Sequence, residues 1–77
     1  MKLHVLSPKG TILKEDVDEV LLPGTKGDFM VLMDHAPLVS TLKRGIVRYR
    51  KNAEVNNLDI DNGITIVEHN TIKVFID

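Results

Sequence analysis

No stretch of this chain keeps a helical period, while residues that break or reverse the backbone return about every ten positions, the spacing of short strands in a sandwich or barrel. The breakers are Ser7-Pro8-Lys9-Gly10, Pro23-Gly24, Gly27, Asp34 to Pro37, Lys43-Arg44-Gly45, Asn52, Asn62-Gly63 and Glu68-His69-Asn70. Between them lie apolar and β-branched runs too short for helices and suited to a half-buried pleat. The expected fold is all-β, a two-layer antiparallel β-sandwich of about eight to ten short strands. With no repeat, linker or low-complexity tract, residues 1–77 read as one domain.

In chain order, Leu3 to Leu6 opens a strand that ends in a type I turn, with Pro8 second and Gly10 fourth. Thr11 to Leu13 resumes an extended path, and Lys14 to Glu19 reads as a polar loop leading into the strand Val20 to Leu22. Pro23 fixes φ and Gly24 can supply a positive φ, so a type II reversal is expected at that pair. Phe29 to Leu32 is the next strand. Pro37 has no N–H and pushes Ala36 toward extended geometry, so no helix passes through, and Leu38 to Leu42 restarts a strand. From Ile46 to Lys51, alternation places Val47 and Tyr49 on one face and Arg48 and Arg50 on the other. Leu58 and Ile60 share a face in the run from Glu54 to Ile60. Asn62-Gly63 is the strongest short hairpin signal, because both residues tolerate the positive φ of a type I′ turn. Two final strands, Ile64 to Val67 and Thr71 to Ile76, flank the turn at Glu68 to Asn70, with Ile72, Val74 and Ile76 opposite Lys73 and Phe75.

A chain of 77 residues can bury only about 60% of its unfolded surface, so its core is thin. It has no cysteine, which excludes disulfides and thiolate zinc as staples. Either the sheet packing suffices or a partner covers part of the surface. A net charge of −1 and a pI near 6.3 give no overall bias toward nucleic acid or anionic lipid. There is no apolar run long enough to cross a bilayer and no basic-then-apolar leader at Met1, so the expectation is a soluble protein that reaches a membrane only through another protein.

His4, His35 and His69 stand far apart with no H-x-H or H-E-x-x-H spacing, and they read as ordinary side chains. The pairs Asp16/Asp18 and Asp59/Asp61 do not continue into a calcium loop and read as solvated carboxylates. No serine or threonine has an adjacent base or glycine elbow. Gly24-Thr25-Lys26-Gly27 holds a lysine between glycines but lacks the phosphate-loop pattern. No catalytic residue, metal site or cofactor is expected. Lys43, Arg44, Arg48, Arg50 and Lys51 fall in a segment without acids, whereas residues 52–77 carry five acids against Lys73. On adjacent strands these would pair. Left unpaired, they would suit an acidic partner or, in the alternative reading, a small OB-like nucleic-acid-binding barrel, for which only Phe29, Tyr49 and Phe75 could serve as stacking platforms.

The stretch from Leu22 to Gly45 carries a more specific signal. Its order is LPG-x-x-G, an acid at Asp28, a short strand, HAPLV at His35 to Val39, and L-K-x-G at Leu42 to Gly45. This resembles the amino-terminal β-sandwich domain of the epsilon subunit of F-type ATP synthases, and the likeness runs over essentially the whole chain. It departs from that pattern at Met33-Asp34, where the family often has Pro-Gly, at Asn62-Gly63, which stands for a glycine pair, and at Ile66, where a glutamate is common. The resemblance implies a non-catalytic part of the central stalk that binds the gamma subunit, rests on the c-ring and couples proton or sodium translocation to ATP synthesis. It implies no nucleic-acid partner, and attachment through the complex to the cytoplasmic face of a bacterial inner membrane. By position, Gly24, Thr25, Lys26, Gly27, Asp28 and Phe29 are expected to face the c-ring. Ser7, His35, Ala36, Pro37, Leu38 and Ser40 are expected to face gamma. The chain stops at Asp77, where many epsilon subunits continue into two helices, so neither a helical brake nor an ATP site is expected.

Overall fold

A computed structural model describes all residues from Met1 to Asp77. The chain forms nine strands: β1 (Lys2–Ser7), β2 (Gly10–Asp16), β3 (Glu19–Gly24), β4 (Gly27–Leu32), β5 (Leu38–Leu42), β6 (Gly45–Lys51), β7 (Glu54–Ile60), β8 (Gly63–Glu68) and β9 (Thr71–Ile76). One curled sheet runs β2-β1-β9-β8-β5-β3-β6-β7, with β4 on the other edge of β3. The curl makes two layers, β2-β1-β9-β8-β5 and β4-β3-β6-β7. They join at a corner where Gly24 pairs with Leu42. All pairings are antiparallel except β1 with β9, which is parallel, so the antiparallel sandwich expected from the sequence is present with one parallel pair within it. The chain's two terminal strands are the ones that lie side by side.

The corner explains Pro23. At Glu19 to Leu21, β3 pairs with β6; by Gly24 the partner is β5. Between them the Pro23 carbonyl accepts the Lys43 N–H at 2.9 Å, and the Thr25 N–H reaches the Thr41 carbonyl at 3.1 Å. A residue without an N–H removes no ladder bond at this change of partner. The reversal expected at Pro23-Gly24 therefore lies two residues later, at Thr25-Lys26, with Gly27 at φ +128°. Gly24 is needed for space instead: a Cβ there would lie 2.6 Å from the Gly27 carbonyl oxygen and 2.9 Å from the Phe29 ring.

Two other expectations fail. Asn62-Gly63 joins no hairpin, because β7 pairs only with β6 whereas β8 pairs with β5 and β9, so the link crosses from one layer to the other. Gly63 has no positive φ; a Cβ there would sit 2.7 Å from the Phe75 carbonyl oxygen. Lys14 to Asp16 is not loop but the end of β2, held by the register Leu3↔Glu15 and Lys2↔Asp16. Only Val17 and Asp18 connect it to β3.

Inward residues from both layers form a core of Leu3, Val5, Val17, Val20, Leu22, Val31, Leu42, Val47, Ile60, Val67, Ile72 and Val74. Burying each such side chain contributes about 1.5–3 kcal/mol. Thr65 is the one buried polar side chain, and its hydroxyl donates to the Lys73 carbonyl at 3.1 Å. The strand registers gather the turns at two ends. Pro8-Lys9, Thr25-Lys26, Lys43-Arg44 and Asp61-Asn62 lie at one; Val17-Asp18, Met33 to Pro37, Asn52-Ala53 and His69-Asn70 lie at the other.

Candidate functional site

The β3–β4 hairpin projects from the first end. Thr25, Lys26, Gly27 and Asp28 are exposed at its tip. Gly24 is buried beneath the half-buried Phe29 ring, so these two support the tip rather than form its surface. The Thr25 and Thr41 hydroxyls meet at 2.7 Å and tie the hairpin to β5. The structure thus presents four of the six residues expected on this surface.

The HAPL segment lies at the opposite end. Asp34 has φ +63°, a conformation that aspartate tolerates better than most residues and that a glycine at this position would adopt freely. Its N–H donates to Asn70 Oδ1 at 2.7 Å, and Asn70 Nδ2 donates to Asp34 Oδ1 at 3.3 Å. This reciprocal clasp fixes the segment to the β8–β9 turn, 36 residues away in sequence. His35 Nδ1 lies 2.6 Å from the Ala36 carbonyl, which can only accept, so the proton sits on Nδ1 and Nε2 is left open. Ala36 and Pro37 are exposed and His35 is half-buried.

The rest of the second expected set does not assemble there. Leu38 packs against the core, and Ser40 shares its inward face. Their neighbours Val39 and Thr41 are the outward residues of β5. Ser7 is at the far end, where its hydroxyl accepts from Lys9 N–H at 3.3 Å and donates to the Gly10 carbonyl at 3.4 Å, the work of a turn former.

Sequence reasoning missed an apolar surface on the outer face of the β2-β1-β9-β8-β5 layer. Leu6 pairs with Phe75, Phe75 with Ile64, and Ile66 with Val39, so these five side chains form two adjoining rows over four strands. Val39 is 70% exposed, Ile64 47% and Phe75 42%. Scattered exposed apolar residues are ordinary; contiguous ones mark a surface that something covers. The available signal was Ile64-Thr65-Ile66-Val67, apolar on both faces in a strand with only one face to bury.

The charged residues are arranged otherwise than expected. Arg44 meets Asp61 at 3.8 Å, but Arg50 pairs with Asp18 and Glu19, and Lys51 with Glu15, acids of the β2–β3 region rather than of residues 52–77. Arg50 also donates to the Asn52 carbonyl at 2.7 Å, while Asp18 accepts the Asn52 N–H at 2.8 Å, which locks the β6–β7 turn to the β2–β3 connection. The hydrogen bond to Glu19 holds the Arg50 guanidinium charged even more firmly than usual. Burial, with Glu15 and Glu54 nearby, pushes the Tyr49 phenol above its ordinary value of 10.0. No group of three or more His, Asp or Glu side chains is placed to hold a metal. His4 Nε2 bonds to the Thr11 hydroxyl at 3.1 Å.

The family described as the ATP synthase delta/epsilon chain β-sandwich domain matches residues 1–77, the entire chain. The chain belongs to this family. Relatives named ATP synthase epsilon chain include that of Desulfitobacterium hafniense, 37% identical over 75 residues, covering 97% of this chain and 57% of the relative. That of Leptospira borgpetersenii is 35% identical over 77 residues, covering 100% of this chain and 61% of the relative. The chain therefore spans about six-tenths of the length of these relatives. The fold recurs in a chain of the Euglena gracilis mitochondrial ATP synthase structure (OSCP/F1/c-ring), with TM-score 0.88 and 21% identity over 96% of this chain and 48% of that one. It recurs as well in the central stalk and c-ring structure of the Tetrahymena thermophila mitochondrial enzyme, with TM-score 0.83 and 17% identity over 99% of this chain and 62% of that one.

Proposed function

We propose that this domain is a non-catalytic rotor component of an ion-driven F-type ATP synthase, bridging the gamma subunit and the c-ring on the cytoplasmic face of a bacterial inner membrane. The observation that carries this reading is the apolar surface formed by Leu6, Phe75, Ile64, Ile66 and Val39 on a domain of the delta/epsilon family. A part that transmits torque needs one broad face held firmly by its neighbour, and apolar burial supplies such holding without directional bonds. In this reading gamma covers that face, with Ala36, Pro37 and the open Nε2 of His35 at its margin. The tip of the β3–β4 hairpin, Thr25 to Asp28, meets the ring. An exposed ion pair at Asp28 contributes only about 0.2–1 kcal/mol, so shape and several contacts together carry the coupling at that end.

Co-expression with the gamma subunit of the same organism tests the reading. The expected result is a stoichiometric complex that survives size-exclusion chromatography. Failure to associate while both proteins stay soluble overturns it.

A further inference from the structure

Three strands have a single ladder partner and so present a free edge: β2, β7 and β4. A free edge offers unpaired N–H and C=O groups to any other strand, and stable folds blunt it with charge, proline or a bulge. β2 carries Lys14, Asp16 and an inward-facing Glu15, and its register with β1 slips between Val5 and Leu6. β7 carries Glu54 and Asp59. β4 has no such device apart from Asp28 near its start, and its register with β3 is unbroken from Gly27 to Leu32. The two-residue turn at Thr25-Lys26 makes Gly24 and Gly27 a hydrogen-bonded pair, so Gly27, Phe29 and Val31 bond to β3, while Asp28, Met30 and Leu32 point their backbone groups away from it. The Leu32 carbonyl is taken by the His35 N–H at 3.2 Å; the rest of that edge is open. Apolar side chains stand at the same positions, with Met30 46% exposed and Leu32 51%.

We propose that two copies of the free chain pair through β4, antiparallel about a two-fold axis at Met30, which joins their β4-β3-β6-β7 layers into one continuous sheet. The Met30 N–H and carbonyl then bond their counterparts, and the Leu32 N–H of each copy meets the Asp28 carbonyl of the other. A second copy is favoured over an unrelated strand because this register is self-complementary. Leu21, which pairs with Met30, extends an apolar row through both methionines to Leu21 of the second copy. At either end Lys26 falls at the level of Asp34 of the other copy, and neither residue has an ion pair within its own chain. Sliding the pair by two residues in one direction sets Asp28 against Asp34, and centring it on Asp28 sets that residue against itself; both oppose like charges. The hairpin tip that the stalk reading gives to the c-ring lies against the second copy in this arrangement, so the dimer belongs to the unassembled chain. Its formation does not depend on that reading.

The chain has no cysteine, so a single introduced thiol reports which edges meet. Met30→Cys, Val55→Cys and Ile12→Cys place it on β4, β7 and β2, at positions that are 46%, 54% and 52% exposed in the parent, so access is matched. Opposed residues of a hydrogen-bonded antiparallel pair have Cα atoms about 5.5 Å apart, within disulfide reach. Under mild oxidation Met30→Cys should form the covalent dimer at least about tenfold faster than either of the others, because pairing raises the local thiol concentration. Sedimentation equilibrium of the parent should show a weak dimer with Kd on the order of 100 µM, as a short edge allows. Met30→Pro, which removes an N–H that β3 does not use, should weaken it by at least about tenfold. Lys26→Glu, an exposed change that leaves every ladder bond in place, should weaken it roughly two- to thirty-fold, two charge contacts having been reversed. Val55→Lys should dimerise as the parent does. Equal cross-linking rates at the three edges, or a parent chain that sediments as a monomer at about 1 mM, overturns the proposal. So does a dimer that Met30→Pro and Lys26→Glu leave unchanged. None of these measurements includes gamma or the c-ring, so failure here leaves the stalk reading standing, and failed association with gamma leaves the dimer standing.

Discussion

Replacing Gly63 separates two physical explanations for one glycine. If Asn62-Gly63 were a type I′ hairpin, Gly63 would be needed for a positive φ, and asparagine, which tolerates that conformation, would be the mildest substitute. In the structure the constraint is contact: an added Cβ meets the Phe75 carbonyl oxygen at 2.7 Å and Ile76 Cγ2 at 3.3 Å. Bringing the first contact to an ordinary 3.4 Å requires β8 and β9 to separate locally by about 0.7 Å, which lengthens the ladder bonds next to the Gly63↔Ile76 pair. Overpacking of this kind costs about 1–3 kcal/mol. A domain of this size has a total stability of roughly 4–12 kcal/mol, so the loss is a large part of it. At about 4–8 °C per kcal/mol, a cost near the middle of that range lowers Tm by roughly 8–16 °C. The assay is urea and thermal unfolding followed by far-UV circular dichroism, comparing the parent with Gly63→Ala and Gly63→Asn. Both variants should lose stability, asparagine at least as much as alanine. Asparagine behaving like the parent while alanine is destabilised would refute the reasoning and restore the turn explanation.

Other outcomes follow from the same structure. Val39→Lys should change the stability of the free chain by no more than about 0.5 kcal/mol, because the side chain already faces water, yet it should abolish complex formation with gamma in the co-expression assay. Asn70→Gly keeps the left-handed backbone but deletes both side-chain bonds to Asp34; a loss of about 1–2 kcal/mol in urea unfolding is expected, with broadened ring signals of His35 by NMR. Tyr49 makes stability depend on alkaline pH. Its phenol stays protonated to a higher pH when folded than when unfolded, so the associated stability is complete below pH 10 and is lost as pH rises through the raised folded value. Tyr49→Phe should show a shallower decline in unfolding free energy between pH 9 and about 11.5, and an unchanged slope would remove Tyr49 as its source.

Strand positions were legible because punctuation and alternation agree: Pro37 and Lys43-Arg44-Gly45 bracket β5 at the expected residues, and Val47 is inward while Arg48 is outward. Glycine roles were not. Sequence offers conformational freedom as the default explanation, whereas Gly24 and Gly63 are required by atoms that arrive from Phe29 and Phe75. The parallel pairing of β1 with β9 was equally hidden, since it joins segments about seventy residues apart and no local pattern records it. For the surfaces, the hairpin tip and the exposed Ala36 and Pro37 were readable as turns. The inward direction of Leu38 and Ser40, and hence the outward direction of Val39, depends on which layer β5 joins. The apolar rows around Phe75 and Ile64 left only an ambiguous trace for a related reason: Ile64-Thr65-Ile66-Val67 is apolar on both faces, and such a strand reads the same whether its second face meets another layer or a partner.

In the proposed arrangement the rotor grips the outer face of the β2-β1-β9-β8-β5 layer. Hydroxyl-radical footprinting of the chain, free and in a purified complex with gamma and the c-ring, measures this side chain by side chain. Phe75, Ile64 and Val39 should be strongly protected in the complex, while Val55, on the outer face of the other layer, stays reactive. A complex that forms while Phe75, Ile64 and Val39 keep their free reactivity would contradict the claim.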